Sequence, residues 1–172
     1  MSKKKYYKSK YFDQSRLLYL DQLREEFLST KVLDHKRQTI ANLANFAYNP
    51  ENHLHFLQLK IHDIFLSNIA SDDDAVALFS LKGLANLASL PSIAALLIKK
   101  NQFKMIVSAM ESRLNSEDFI INGLLIIMIF KSMNIIENVE TKKEISKLLE
   151  KIAESKSNDV RIVNYMKIIK DS

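Results

Sequence analysis

The sequence predicts an all-α protein built as a solenoid, in which about three to four helical repeats stack along one axis. Two similar heptapeptides lie 41 residues apart, IANLANF at residues 40–46 and LKGLANL at residues 81–87. A proline follows each heptapeptide at the same offset, at Pro50 and Pro91. The whole chain of 172 residues has two glycines and two prolines, which leaves little material for β-turns. Self-similarity at this period is typical of stacked helical repeats.

The basic character of the chain is concentrated at its start. Residues 1–16 contain six basic side chains and one acidic side chain, whereas the remainder contains 19 of each. Residues 1–13 lack helical periodicity, so we predict a flexible basic tail over 1–13 and a helical repeat domain over 14–172. The chain has no cysteine and no long apolar segment, which favours a soluble protein of a reducing compartment without a signal peptide.

The first half of the domain contains predicted helices in a regular order. The spacing of Leu17, Leu20, Leu23 and Phe27 predicts a helix that begins near residue 16, with Ser15 as its candidate cap. A second helix is expected over residues 35–48, a short one over 51–58 and a longer one over 59–70. The SDDD segment at 71–74 predicts the start of the helix that contains the second heptapeptide, because carboxylates stabilise a helix N-terminus.

The second half repeats the order of short, middle and long helix. These helices are expected over residues 92–100, 103–113 and 117–133, and the SED segment at 116–118 marks the start of the long one. Two more helices are predicted over 141–154 and 159–170, with Ser157 or Asn158 as the cap of the last one.

The long helices align at three positions. Spacings of 41 and then 43 residues lie within the range of about 40–47 that armadillo and HEAT repeats show. A small residue at the first position allows a neighbouring helix to approach closely, and an apolar residue at the second supplies the stacking core. The aligned sets are Thr39, Ser80 and Gly123, then Leu43, Leu84 and Ile127, and then Asn45, Asn86 and Ile129. Both glycines, Gly83 and Gly123, are predicted to serve packing inside helices.

The first two long helices resemble the third helix of armadillo repeats, which has a small residue, three others, Leu, one other and Asn. Thr39, Leu43 and Asn45 satisfy this pattern, and so do their equivalents in the second copy. The resemblance implies three-helix repeats wound into a right-handed superhelix, with the third helices along a concave surface. In the family, this Asn commonly bonds the backbone of an extended peptide. From about Arg16 to Phe130 the chain resembles a short, single-domain member of the family.

For that short member, the resemblance implies a nuclear accessory factor of the minor spliceosome, which removes U12-type introns during pre-mRNA splicing. It implies a partner with an RNA-recognition motif, of the RNA-binding motif protein 48 type, together with other spliceosomal proteins. Contact with small nuclear RNA is expected mainly through these partners. The chain is expected to be a monomer within that complex, without a cofactor, a metal or a membrane.

Asn45 and Asn86 are the leading candidates for partner contact, because they share one repeat position and an amide offers both a donor and an acceptor. The alternative is that both are simply exposed. Asn42 faces another side of the helix, and partner contact and solvation are equally open for it. Leu125 and Ile129 lie one turn apart in the third repeat and are predicted to form an apolar contact site for the partner. The alternative is that the last helices cover this pair.

Two function classes are disfavoured. Armadillo receptors for basic import signals usually carry Trp four residues before the Asn, whereas this chain has Ala41 and Lys82 there and no Trp at all. An enzyme is also disfavoured, because the sequence has no Gly-rich phosphate loop, no nucleophile elbow and no metalloprotease motif. The four histidines do not complete a zinc site.

Direct RNA binding is the alternative function. In it, the tail lysines contact phosphates while the tail tyrosines stack on bases. The competing explanation is that the tail is a targeting signal or is simply exposed to solvent. The zero net charge of the rest of the chain argues against an extended RNA-binding groove. The lysines concerned are Lys3, Lys4, Lys5, Lys8 and Lys10.

Overall fold

The computed structural model describes residues 13–98, 102–136, 138–155 and 158–171, and over these ranges its regular structure is entirely helical. The described helices comprise ten α-helices and a short 3-10 helix at Pro50–Asn52. The α-helices are α1 Gln14–Ser29, α2 Leu33–Ala47, α3 His53–Gln58, α4 Ile61–Asn68, α5 Asp74–Leu87, α6 Pro91–Ile98, α7 Gln102–Glu111, α8 Glu117–Ser132, α9 Val139–Glu154 and α10 Val160–Asp171.

The helices stack in two rows. The long helices α2, α5, α8 and α10 form the long-helix row, in which each helix packs on the next. The second row consists of α1, α4, α7 and α9. In this row α1 packs on α2, α4 on α5 and α7 on α8, and α9 packs on α7. The short helices α3 and α6 begin the second and third repeats. The first and fourth repeats are pairs, α1 with α2 and α9 with α10. The prediction of an all-α solenoid of three to four repeats is confirmed.

The start of α1 lies earlier than the sequence predicts. The N-cap is Asp13, whose carboxylate accepts hydrogen bonds from the backbone N–H of Ser15 at 2.9 Å and from its hydroxyl at 2.7 Å. The cap predicted at Ser15 is therefore wrong, because the carboxylate two residues earlier satisfies the free N–H. The Asp13 carbonyl also lies 3.1 Å from Nε2 of His55 in α3. Asp13 thus belongs to the helical domain, one residue before the predicted boundary.

The start of the last helix also differs from the prediction. The carboxylate of Asp159 accepts a hydrogen bond from the backbone N–H of Arg161 at 2.8 Å, which places Asp159 in the capping role expected of Asn158 or Ser157. Ser157 lies outside the described residues. An aspartate is a better match for this helix start than a neutral cap, because its charge also interacts favourably with the helix dipole.

Close contacts between the two rows explain the small residues of the long helices. A Cβ atom added to Gly83 of α5 would lie 2.5 Å from the ring of Phe65 in α4. A Cβ atom at Gly123 of α8 would overlap the side chain of Met110 in α7. Thr39 and Ser80 are buried as well. The predicted packing role of these positions is confirmed.

Charged groups hold the starts of successive long helices side by side. Arg37 of α2 donates to the carboxylate of Asp73, the N-cap of α5, at 3.0 and 2.6 Å. Arg161 of α10 lies 3.8 Å from the carboxylate of Asp118 in the first turn of α8. At the other end, the ammonium of Lys131 on α8 donates to the carbonyl of Ile169 on α10. α2 and α5 therefore begin at the same end of the stack, and α8 and α10 run parallel to each other.

Candidate partner-binding surface

The two asparagines of the repeated heptapeptides lie in different environments. Asn86 is half-buried on α5, and its side-chain Nδ2 donates a hydrogen bond of 2.9 Å to the carbonyl of Ala44 on α2. Asn45, at the equivalent position of α2, is exposed. The long-helix row begins at α2 in the described chain, so there is no preceding long helix that Asn45 could reach. The repeat motif thus places one amide inside the stack and one at its edge.

The Asn86 bond belongs to a set that closes the C-terminal end of α2. The last turn of a helix leaves four carbonyls without partners inside the helix, and they need donors from elsewhere. Here the carbonyl of Asn45 accepts from the Tyr48 N–H at 3.2 Å. Side chains reach the other three carbonyls: Asn86 donates to that of Ala44, Asn52 donates to that of Phe46 at 2.7 Å, and His53 Nε2 lies 3.0 Å from that of Ala47. The Phe46 carbonyl also accepts from the Asn49 N–H at 3.2 Å.

Aromatic side chains lie beside the exposed asparagine. The rings of Tyr19 on α1 and Phe46 on α2 meet edge to face, with their centroids 5.5 Å apart. Tyr48, the C-cap residue of α2, is 79% exposed. Asn42 is half-buried. The first repeat therefore presents polar amide and aromatic groups at one edge, and such groups favour contact with a protein partner.

The apolar pair predicted as a contact site is only partly covered. Leu125 and Ile129 are half-buried on α8, and both pack against the core. Because Asn86 at the equivalent position points to α2, Ile129 is expected to point to α5 and not to α10. If Ile129 points to α5, the packing of α10 on α8 does not by itself cover this pair. The exposed parts of Leu125 and Ile129 remain candidates for partner contact.

We expect Asn86→Ala to lower the free energy of unfolding by about 1–3 kcal/mol, because it leaves a helix-terminal carbonyl without its donor. Asn45→Ala should change that free energy by less than about 0.5 kcal/mol, because the side chain is exposed. Urea denaturation of the two variants tests this difference. Equal stabilities would show that the Ala44 carbonyl does not depend on Asn86.

Other predicted groups have simpler environments. The tail lysines Lys3–Lys10 lie outside the described residues. His55 and His62 are buried among core side chains. Over the ranges that the structure describes, no group of three or more His, Cys, Asp or Glu side chains could hold a metal ion. None of the helices described is long and apolar enough to cross a membrane.

Sequence reasoning missed a cavity at the C-terminal end of the stack. Its volume is about 790 Å³, and it lies between α9, α10 and the end of α8. Apolar side chains form its floor and lysines stand at its rim. Helical periodicity predicts that apolar residues of α9 and α10 are buried, but it does not reveal whether the two helices close over each other.

Comparison with known proteins supports the armadillo resemblance over part of the chain. No family model matches the sequence. Over 69 residues the chain is 42% identical to Armadillo repeat-containing protein 7 of Mus musculus. The matched segment makes up 40% of this chain and 35% of that protein, so the similarity spans about a third of the relative's length. At that level, the armadillo-like character predicted from the heptapeptides is confirmed.

Proposed function

We propose that this all-α, armadillo-like chain is a non-catalytic scaffold that binds a protein partner along its long-helix row. The observation that carries this proposal is the similarity to an armadillo repeat protein, in a chain whose helices stack as repeats. Stacked helical repeats present an extended surface to a partner. The more specific role is that of a nuclear accessory factor of the minor spliceosome, with a partner that has an RNA-recognition motif. That role rests on the sequence resemblance to the short armadillo member.

The proposed binding surface changes in character along the row. It begins with the exposed amide of Asn45 beside the aromatic rings of the first repeat. It ends at the half-buried pair Leu125 and Ile129 in the third repeat. A partner segment that is polar at one end and apolar at the other would match both ends. The balanced charge of residues 17–172 supports a protein partner over a nucleic acid, which would require clustered positive charge.

Affinity purification from nuclear extract, with nuclease treatment before the wash, tests the proposed function. Recovery of a protein with an RNA-recognition motif, together with minor-spliceosome proteins, is the expected result. Recovery that disappears after nuclease treatment would favour the alternative, direct RNA binding. Absence of such a protein both with and without nuclease would contradict the spliceosomal role.

We expect Ile129→Lys to weaken binding of the recovered partner by about tenfold or more, because it places a charge on the apolar contact site. The melting temperature should change little, since the exposed part of the side chain leaves the ammonium access to water. Met105→Lys is the matched control, because Met105 is an exposed apolar residue of α7 in the other row. Calorimetric titration measures affinity, and thermal unfolding measures stability. Global unfolding of Ile129→Lys would show that Ile129 is core, and unchanged affinity would exclude the contact site.

A further inference from the structure

The C-terminal cavity, defined above between α9, α10 and the end of α8, has an apolar floor. The floor is formed by Ile136, Ile145, Leu149 and Ile169. Each of the four residues is at most 8% exposed. Their side chains therefore pack against the core on one side and line the cavity on the other. A volume of about 790 Å³ lies within the range of about 300–1,000 Å³ that ligand sites occupy. The cavity is thus large enough for one or two apolar side chains of a partner.

The rim of the cavity is basic. Lys131, Lys142 and Lys170 line it, against the single carboxylate of Glu150 among its described lining residues. Lys131 donates to the Ile169 carbonyl, a neutral group that leaves its positive charge uncompensated. Within the described ranges, Lys142 and Lys170 have no carboxylate within ion-pair distance. The rim therefore has an excess of positive charge above an apolar floor.

Other lysines at the same end of the stack are paired. Lys104 of α7 lies 2.9 Å from Glu140 and 3.4 Å from Glu144 of α9, and its pKa is raised chiefly by the hydrogen bond to Glu140. Lys151 of α9 lies 2.8 Å from Glu111. The chain thus neutralises the lysines between α7 and α9, whereas it leaves those above the cavity available for an external carboxylate.

We infer that the C-terminal cavity binds a segment of a partner protein in which acidic side chains flank a leucine or a phenylalanine. The apolar side chain enters the cavity, and the carboxylates pair with Lys142 and Lys170 at the rim. The chain's own residues 1–12 do not fit this description, because they are basic. A phosphate group would form ion pairs with the lysines, but it would make no favourable contact with the apolar floor. The inference deepens the proposed scaffold function and rests on it for the existence of a protein partner.

Fluorescence anisotropy with two short synthetic peptides tests the inference on the full chain. One peptide places Glu and Asp around a Leu and a Phe, and the other keeps the apolar residues but replaces each acidic residue with Lys. Binding of the acidic peptide, weaker at higher salt, and no binding of the basic one is the expected result. Absence of acidic-peptide binding, or equal binding of both peptides, overturns the inference.

Variants locate the binding. The double variant Lys142→Glu with Lys170→Glu should weaken binding of the acidic peptide by about tenfold or more, because it reverses the charge of the rim. The variant Ser146→Trp should also weaken it, since Ser146 is an exposed lining residue and a larger side chain fills the cavity. The matched control is Lys143→Glu with Lys147→Glu, which makes the same charge change on exposed residues of α9 outside the lining. Equal weakening by the control overturns the inference.

Two further measurements separate other occupants. Sedimentation analysis that finds a dimer of the wild-type chain, dissociated by Lys142→Glu with Lys170→Glu, would assign the cavity to a second copy and overturn the inference. Tighter binding of single-stranded RNA than of the acidic peptide, lost in the same variant, would assign it to phosphate. The two proposals also fail separately. If the acidic peptide binds but no RNA-recognition-motif protein is recovered, only the proposed spliceosomal role fails. If such a protein is recovered but the acidic peptide does not bind, only the cavity inference fails.

Discussion

Phe65→Ala is expected to lower the free energy of unfolding by about 3–5 kcal/mol, the usual cost of removing a buried phenylalanine ring. Phe65 of α4 is 0% exposed, and its ring stacks on Phe56 of α3 with a centroid distance of 6.1 Å. The ring also fills the space left by Gly83 on α5. It therefore joins three helices of the second repeat, and its removal leaves a cavity that rigid helices cannot close.

Phe46→Ala is the matched control for that substitution. Phe46 is only half-buried, and its ring contact is the edge-to-face pair with Tyr19. We expect this variant to lose roughly 1 kcal/mol, because part of the ring already lies in water and an aromatic pair contributes about 0.5–1.5 kcal/mol. Urea denaturation followed by circular dichroism gives both values. Equal losses of unfolding free energy would show that the Phe65 ring does not join the three helices of the second repeat.

Asp73→Ala is expected to lower the free energy of unfolding by about 2 kcal/mol, at the upper end of the effect of a lost N-cap. Its carboxylate accepts from the backbone N–H of Val76 at 3.0 Å and from the guanidinium of Arg37 on α2. One side chain thus both begins α5 and fixes it to the preceding long helix. Asp72→Ala, an exposed neighbour in the same loop, should change stability by less than about 0.5 kcal/mol. A loss shared equally by both variants would argue against this role.

The same carboxylate predicts how stability depends on pH. The hydrogen bond from Arg37, and then that from the Val76 N–H, hold the pKa of Asp73 below its ordinary value. A carboxyl group with a lowered pKa in the folded state stabilises the fold above its unfolded pKa, and this contribution is lost as the pH falls. Stability should therefore decrease as the pH falls below about 5, and Asp73→Asn should show a smaller decrease. An identical pH profile for the variant would contradict this assignment.

The fold could be predicted from the sequence because each repeat contains local signals, such as helix-start segments and glycines inside helices. The SDDD segment predicts the start of α5, and the structure places the cap at Asp73. The glycines inside helices predict close packing, and Phe65 and Met110 occupy the space beside them. Such features depend on residues within one repeat and its neighbour, so local sequence patterns were sufficient to find them.

The candidate site could be predicted only in part, because its properties depend on contacts between repeats. The heptapeptides show that Asn45 and Asn86 share a position, but not that Asn86 reaches the Ala44 carbonyl. That bond depends on how the last turn of α2 ends against α5. The C-terminal cavity is a similar case. Ile145 and Leu149 have the periodicity of core residues whether or not α10 closes over them.

Methyl NMR of the isoleucine and leucine side chains, recorded with and without the recovered RNA-recognition-motif partner, tests the central claim most directly. We expect the partner to shift the methyl signals of Leu125 and Ile129 on the long-helix row. The signals of Ile64 on α4, in the other row, should stay in place. Shifts confined to the α4 and α7 row, with Leu125 and Ile129 unchanged, would contradict the claim that the long-helix row is the binding surface.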